Sequence, residues 1–164
     1  MIELFDFSDP RSVDAWRAID DRVMGGVSRS RLRHDPAGHA VFEGDVSLAQ
    51  NGGFASVRSS PGERGQAGAT ICQIEARGDS RQYKLSLLTD DGFDSVNYQA
   101  SFSTMGHDWQ IISLTLSAFR ASFRGREVPG APALDPARIR QVGLLIAGRQ
   151  AGPFALEIRR IGLA

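Results

Sequence analysis

The chain has 164 residues, enough for one domain with a real core, because a fold of this size buries about 70% of its unfolded surface. Nineteen Lys plus Arg balance nineteen Asp plus Glu, so no net field draws it to nucleic acid or acidic lipid. Cys72 is the only cysteine, which excludes an internal disulfide and a cysteine-based zinc site.

Met1 to Phe7 lacks a basic region followed by a long apolar run, and no later stretch approaches the roughly 18 apolar residues of a membrane helix. The expectation is a cytoplasmic protein with no membrane span, any membrane association being peripheral. All the cations except Lys84 are arginine. As a set they read as a compositional bias, with the arginines inside motifs kept apart as planar donor pairs for carboxylates or other anions.

Asp9-Pro10 has the N-cap and first-position logic of a short helix, expected over 9–19 with Val13 and Trp16 buried. Asp20 to Ser28, DDRVMGGVS, has neither a helical nor a strand period; paired glycines, two carboxylates and a hydroxyl mark a shaped loop, with Asp20 and Ser28 placed to bond local amides. A related segment follows from Phe42 to Ser59, FEGDVSLAQNGGFASVRS. The stretch 59–69 is glycine-rich, has no apolar residue larger than alanine to anchor it, and reads as a mobile surface loop.

From there a period of two dominates. Tyr83, Leu85 and Leu87 alternate with polar residues, as do the apolar positions of 96–103, then Ile112, Leu114 and Leu116, then Val142, Leu144 and Ile146, then Phe154, Leu156 and Ile158. Asp35-Pro36-Ala37-Gly38, Ser60-Pro61-Gly62, Arg77-Gly78-Asp79, Asp90-Asp91-Gly92 and Pro129-Gly130 supply the turns, and Asp135-Pro136 opens one further helical turn. Many short strands so punctuated predict an all-β sandwich or barrel, in a single domain over 1–164.

The two signatures DDRVMGGVS and F-x-G-x-VSL-x-x-NGGFASVRS resemble those of the complex I intermediate-associated protein family, assembly factors for respiratory NADH:ubiquinone oxidoreductase. Trp109-Gln110, Phe119, Phe123-Arg124-Gly125-Arg126, Gly143-Leu144-Leu145 and Gly152-Pro153-Phe154 extend the likeness over nearly the whole chain. The resemblance implies a two-sheet antiparallel β-sandwich of jelly-roll type, similar to galactose-binding-like domains, with one or two short helices. It implies a non-enzymatic module that binds a protein partner, a complex I subunit or assembly intermediate. The fold class leaves a carbohydrate or small-ligand module as the alternative.

The residues expected to contact a partner or ligand are Asp21, Arg22, Met24, Gly25, Gly26 and Ser28 in the first signature. Asn51, Gly52, Gly53 and Arg58 stand in the second, and Tyr98, Gln99, Arg124 and Arg126 in later segments. Arg58 and Arg124 have two readings of equal weight: donors to a ligand, or internal partners of Asp20, Asp21 or Glu43. Asp20 and Asp21 read as structural acceptors rather than an acid–base pair, because neighbours on an extended strand point to opposite faces.

Asp90, Asp91 and Asp94 read as turn residues rather than calcium ligands, since their spacing is not that of an EF-hand loop. His34, His39 and His107 lack zinc-site spacing and are expected at the surface. Trp16 and Trp109 are expected in the core rather than as a sugar platform. No G-x-S-x-G serine and no phosphate-binding glycine fingerprint is present, and neither a catalytic residue, a cofactor nor a metal is expected.

Overall fold

The computed structural model describes residues 1–21 and 25–164, so the expectations for Arg22 and Met24, and for the side chain of Asn51, lie outside the described residues. The first strands are β1 (Ile2–Asp6), β2 (Trp16–Ala18), β3 (Arg29–Asp35), β4 (His39–Val46), β5 (Ala55–Ser59), β6 (Ile71–Gly78) and β7 (Gln82–Leu88). They are followed by β8 (Asn97–Ser103), β9 (Gln110–Thr115), β10 (Arg120–Phe123), β11 (Arg126–Glu127), β12 (Gln141–Ile146) and β13 (Gly152–Leu163).

Two antiparallel sheets result. The first runs β3-β4-β13-β6-β9, with β1 also paired to β13; the second runs β11-β10-β8-β7-β12-β5-β2. This is the two-sheet sandwich that the period of two demands, because each strand has one apolar face to hide and the sheets hide them against each other.

The alternating positions meet in the middle. Tyr83, Leu85 and Leu87 from β7 and Val142, Leu144 and Ile146 from β12 are all fully buried opposite Phe42, Ile74, Leu156 and Ile158 of the first sheet. Phe42 packs edge-on to Phe154 at 4.9 Å between ring centres and to Tyr83 at 6.1 Å. Each such side chain contributes about 1.5–3 kcal/mol on removal from water. Phe5, Phe7 and Trp16 form a second aromatic group, Phe5 meeting Trp16 at 4.9 Å.

Both expected helices are 3₁₀ turns. Asp9 does cap the first, its carboxylate accepting from Arg11 N at 2.9 Å, but the turn covers only Pro10–Ala15 and Trp16 begins β2. Asp135 caps Pro136–Arg138 in the same way. Two further 3₁₀ turns, Ala49–Asn51 and Leu116–Ala118, carry no capping side chain and so left no sequence signal.

The loop after β5 is pinned by backbone rather than by apolar anchors. Gly62 N, Arg64 N and Gln66 N donate to Arg140 O, Ile139 O and Pro136 O at 3.0, 3.2 and 2.8 Å, and the Arg64 guanidinium lies 4.6 Å from the Phe5 ring centre. The expectation of a loop with nothing to hold it is corrected accordingly.

Candidate functional site

The two signature segments meet at a pair of buried carboxylates. Asp21, 1% exposed, accepts from Ser28 N at 2.9 Å and Ser28 Oγ at 2.6 Å, and from Gly53 N at 2.7 Å and Phe54 N at 3.3 Å. Ser28 Oγ in turn accepts from Ser47 N at 2.9 Å. Asp20 binds Ser30 N and Ser56 N, each at 3.0 Å, together with the Ser30 hydroxyl.

Asp20 therefore ties β3, in the first sheet, to β5, in the second, while Asp21 ties Ser28, just before β3, to Gly53 and Phe54, just before β5; the bonds join partners within the first signature to partners 32 to 36 residues along the chain. The glycines follow from this crowding. A Cβ on Gly26 would stand 2.5 Å from Asp21 Cγ, and one on Gly52 would stand 2.5 Å from Asp21 Oδ2 and 2.8 Å from Ser47 O. Burial alone raises the Asp21 pKa, but the bonds from Ser28, Gly53 and Phe54 outweigh it and hold the carboxyl below its ordinary value. An anion so satisfied is a poor general base, and every oxygen already accepts a donor.

The outer face of the second sheet is differently made. Strand register places Arg120, Gln99, Ser86, Gly143, Arg58 and Arg17 in one row across β10, β8, β7, β12, β5 and β2. Gly143 and Ser86 leave the centre of the row shallow, while arginines and an amide stand at its ends. Gln99 Nε2 donates to Asn97 Oδ1 at 2.6 Å, which orients the amide on this face. The rings of Tyr83, Tyr98 and Phe102 all point the other way, into the core.

Arg58 is half-buried, and among the described residues no carboxylate oxygen lies within ion-pair distance of it. It donates only to Phe93 O, at 2.8 Å. Burial, reinforced by the charge of Arg17, holds its pKa below the usual arginine value. Arg124 is on the rim at the Arg124-Gly125 hairpin, where φ values of +52 and +78 fit a two-residue turn with both positions left-handed. It forms a close bidentate pair with Asp94.

Neither arginine thus pairs with Asp20, Asp21 or Glu43; Glu43 instead takes Arg31 at 2.7 Å and Arg33 at 3.0 Å. Tyr98 is buried, with its hydroxyl donating to Pro132 O at 2.8 Å, whereas Arg126 is exposed on β11. Asp21, Gly26 and Ser28 are buried in the seam between the sheets, Gly52 and Gly53 are half-buried beside them, and Gly25 is exposed at φ +90. The expected residues therefore divide between an interior clamp and an outer face. Sequence reasoning missed Arg17, Lys84, Ser86, Arg120 and Gly143, whose shared face is visible only once the strand register is known.

Two aromatic expectations are corrected. Trp109 is not in the core but half-exposed on the outer face of the first sheet, stacked between the guanidinium groups of Arg77 at 4.8 Å and Arg159 at 4.0 Å. His39 is buried rather than at the surface, its Nε2 2.9 Å from Glu157 and its ring edge-on to Trp109. The aspartates of the 90–94 turn act as read: Asp90 accepts from Gly92 N at 2.9 Å and Asp91 pairs with Arg140 at 2.8 Å.

The two antiparallel sheets make a jelly-roll β-sandwich, the architecture class of the chain. The fold is similar to the family 11 carbohydrate-binding module of the cellulosomal cellulase Lic26A-Cel5E of Clostridium thermocellum, with TM-score 0.72, 15% identity, and 98% of this chain and 92% of that one covered. A structure of the same family of module with a β-1,3-1,4-mixed-linked tetrasaccharide gives TM-score 0.71 at 15% identity, over 99% of this chain and 94% of that one. At such identity the likeness is one of fold.

The sequence model of the Complex I intermediate-associated protein 30 (CIA30) family matches residues 5–158, and the chain belongs to that family. It is 28% identical to the mitochondrial Complex I intermediate-associated protein 30 of Drosophila melanogaster, over 98% of this chain and 62% of the relative. It is 30% identical to an uncharacterized protein of Schizosaccharomyces pombe, over 98% of this chain and 83% of that one. The chain thus spans about three-fifths of the length of its fly relative.

Proposed function

We propose that this chain acts as an assembly module for respiratory NADH:quinone oxidoreductase, holding a protein partner stoichiometrically against the outer face of its second sheet and turning over no substrate. Family membership supports the assembly role, and the name of the fly relative supplies the complex concerned. The observation that carries the location is the row from Arg120 to Arg17. It has a shallow centre at Gly143 and Ser86 and fixed polar donors at either side, on a sheet whose other face is locked into the core.

Recognition of a polypeptide needs shape, a few anchors and a polar rim, which a rigid sheet supplies without moving parts. No described helix is long and apolar enough to cross a membrane. The carbohydrate reading has the fold in its favour. Against it, the outward strand positions of the second sheet carry no aromatic ring, and the exposed Phe93 in the loop beside Arg17 and Arg58 is a lone ring rather than a row on which a sugar would stack.

Deleting the gene in its native host and resolving respiratory complexes on native gels tests the proposal. The expected result is loss of assembled oxidoreductase with subunit transcripts unchanged, restored by the wild-type gene and not by Gly143→Trp, which fills the centre of the face. Normal assembly in the deletion strain refutes it.

A further inference from the structure

The two outer faces differ sharply in how their charges are used. On the first sheet Arg31, Arg33, Arg77, Arg159 and Arg160 are all engaged by Glu43, Glu75 or Glu157. On the strands of the second sheet stand Arg17, Arg58, Lys84 and Arg120 on the outer face and Arg126 at the β11 edge opposite Phe123, with one acid, Glu127, and none of these five cations has an ion-pair partner among the described residues. Among the described residues Arg29 on β3 of the first sheet also has no ion-pair partner, but it stands beside the paired arginines of that sheet, whereas Arg17, Arg58, Lys84 and Arg120 gather on the outer face of the second sheet with no carboxylate paired to any of them.

The placement is also unfavourable as it stands. Arg17 and Arg58 are directly opposite each other on β2 and β5, the position at which like charges on neighbouring strands destabilise a sheet. Arg17 has the Phe93 ring at 5.9 Å, while Arg58 has one carbonyl and the attraction of Asp90 and Asp94 from beyond ion-pair distance, Asp94 being already paired with Arg124. A carboxylate set between the two guanidinium groups from outside would remove the repulsion and take planar paired donors.

We infer that the outer face of the second sheet is an acceptor for an extended acidic segment of the partner protein, one carboxylate lying between Arg17 and Arg58 and another reaching Arg120. This rests on the reading that a protein partner docks on this face, and it names the chemistry recognised. Four strand spacings separate Arg58 from Arg120, about 19 Å at roughly 4.8 Å each. An extended chain covers that span in about six residues, and residues an even number apart project from the same side of it. The ligand is thus an extended stretch with acids six positions apart, its backbone crossing the sheet at the level of Gly143 and Ser86, where the side chains are absent or small.

The test is fluorescence anisotropy of the full chain with a labelled peptide of alternating Glu and Thr, set against the same peptide with Gln for every Glu. The Glu peptide is expected to bind, the Gln peptide to bind at least tenfold more weakly, and the difference to shrink as salt rises from about 0.02 to about 0.3 M. The double change Arg58→Glu with Arg120→Glu should abolish binding of the Glu peptide and create binding of a Lys-Thr counterpart, while Arg29→Glu on the first sheet should change neither. If the double variant does not fold, Arg58→Gln with Arg120→Gln serves, with loss of Glu-peptide binding as the readout.

Equal affinity for the Glu and Gln peptides overturns the inference, as does unchanged binding by the face variants. Tighter binding of polygalacturonate, or of vesicles containing anionic phospholipid, than of the Glu peptide would do the same. Assembly in the deletion strain and peptide affinity in solution are separate readouts, so the assembly role and the acid-binding face fall independently.

Discussion

Replacing Asp21 with alanine removes the acceptor for three backbone amides and one hydroxyl at the seam between the sheets. Each buried donor left without a partner costs about 1–3 kcal/mol, and water entering the vacated space recovers part of it, which leaves a loss of about 3–5 kcal/mol. For a chain of this size that lowers the melting temperature by on the order of 10 °C. Asp21→Asn should lose less, because its amide oxygen still serves Gly53 and Ser28 Oγ while its NH₂ opposes Ser28 N–H.

The pH dependence has a definite sign. The folded pKa of Asp21 lies below its ordinary 3.8, so its contribution is complete above that value and fades as pH falls through the folded value. The gap between wild type and Asp21→Ala, measured by urea unfolding, should be full at neutral pH and narrow in acid below about 3.8. A gap under about 1 kcal/mol at neutral pH, or one that stays constant into acid, would refute the clamp.

Gly26→Val should cost about 1–3 kcal/mol in the same assay, because its Cβ would collide with Asp21; unaltered unfolding would count against that packing. Arg124→Ala, which breaks an exposed pair with Asp94, should leave the melting temperature nearly unchanged, and a large drop would show that the hairpin depends on the pair. Arg58→Ala should leave stability unchanged or slightly raised, since it relieves Arg17, while weakening partner capture; a fall of several degrees would make it structural. Burial pushes the Cys72 thiol up to about 12, so it should resist thiol reagents at pH 8 until the chain unfolds, and rapid labelling of the native protein would contradict its placement.

The strands were legible where one face is buried and the other wet. In β8, Tyr98 and Phe102 alternate with Gln99, Ser101 and Ser103, and the burial follows the alternation. The first helix was misjudged at its end because Trp16 fits a helical period and a strand start equally well, and only its pairing with Ser59 decides. The signature loops announced a shaped backbone, and Asp21 does meet Ser28 seven residues on, but the bonds that join the two signatures are 32 to 36 residues apart, beyond any local rule. Trp109 misled because an indole stacked between arginines satisfies the same wish to leave water as one in a core. For Arg58, the decisive facts are a strand neighbour of like charge and a carbonyl 35 residues away, and neither can be read along the chain.

Strand β13 is bordered by β4 and β1 on one side and by β6 on the other, so it supplies the middle of the first sheet. Being last in sequence, it reaches the ribosome exit after every strand it must join. Until then β1, β4 and β6 have no common neighbour, and their apolar faces must wait, covered by the half-built second sheet or by a chaperone. Contacts of such long sequence separation make for slow folding, in the millisecond-to-second range typical of sandwiches. The newborn chain is therefore most vulnerable to aggregation just before β13 emerges, when the strand that completes the first sheet is still missing.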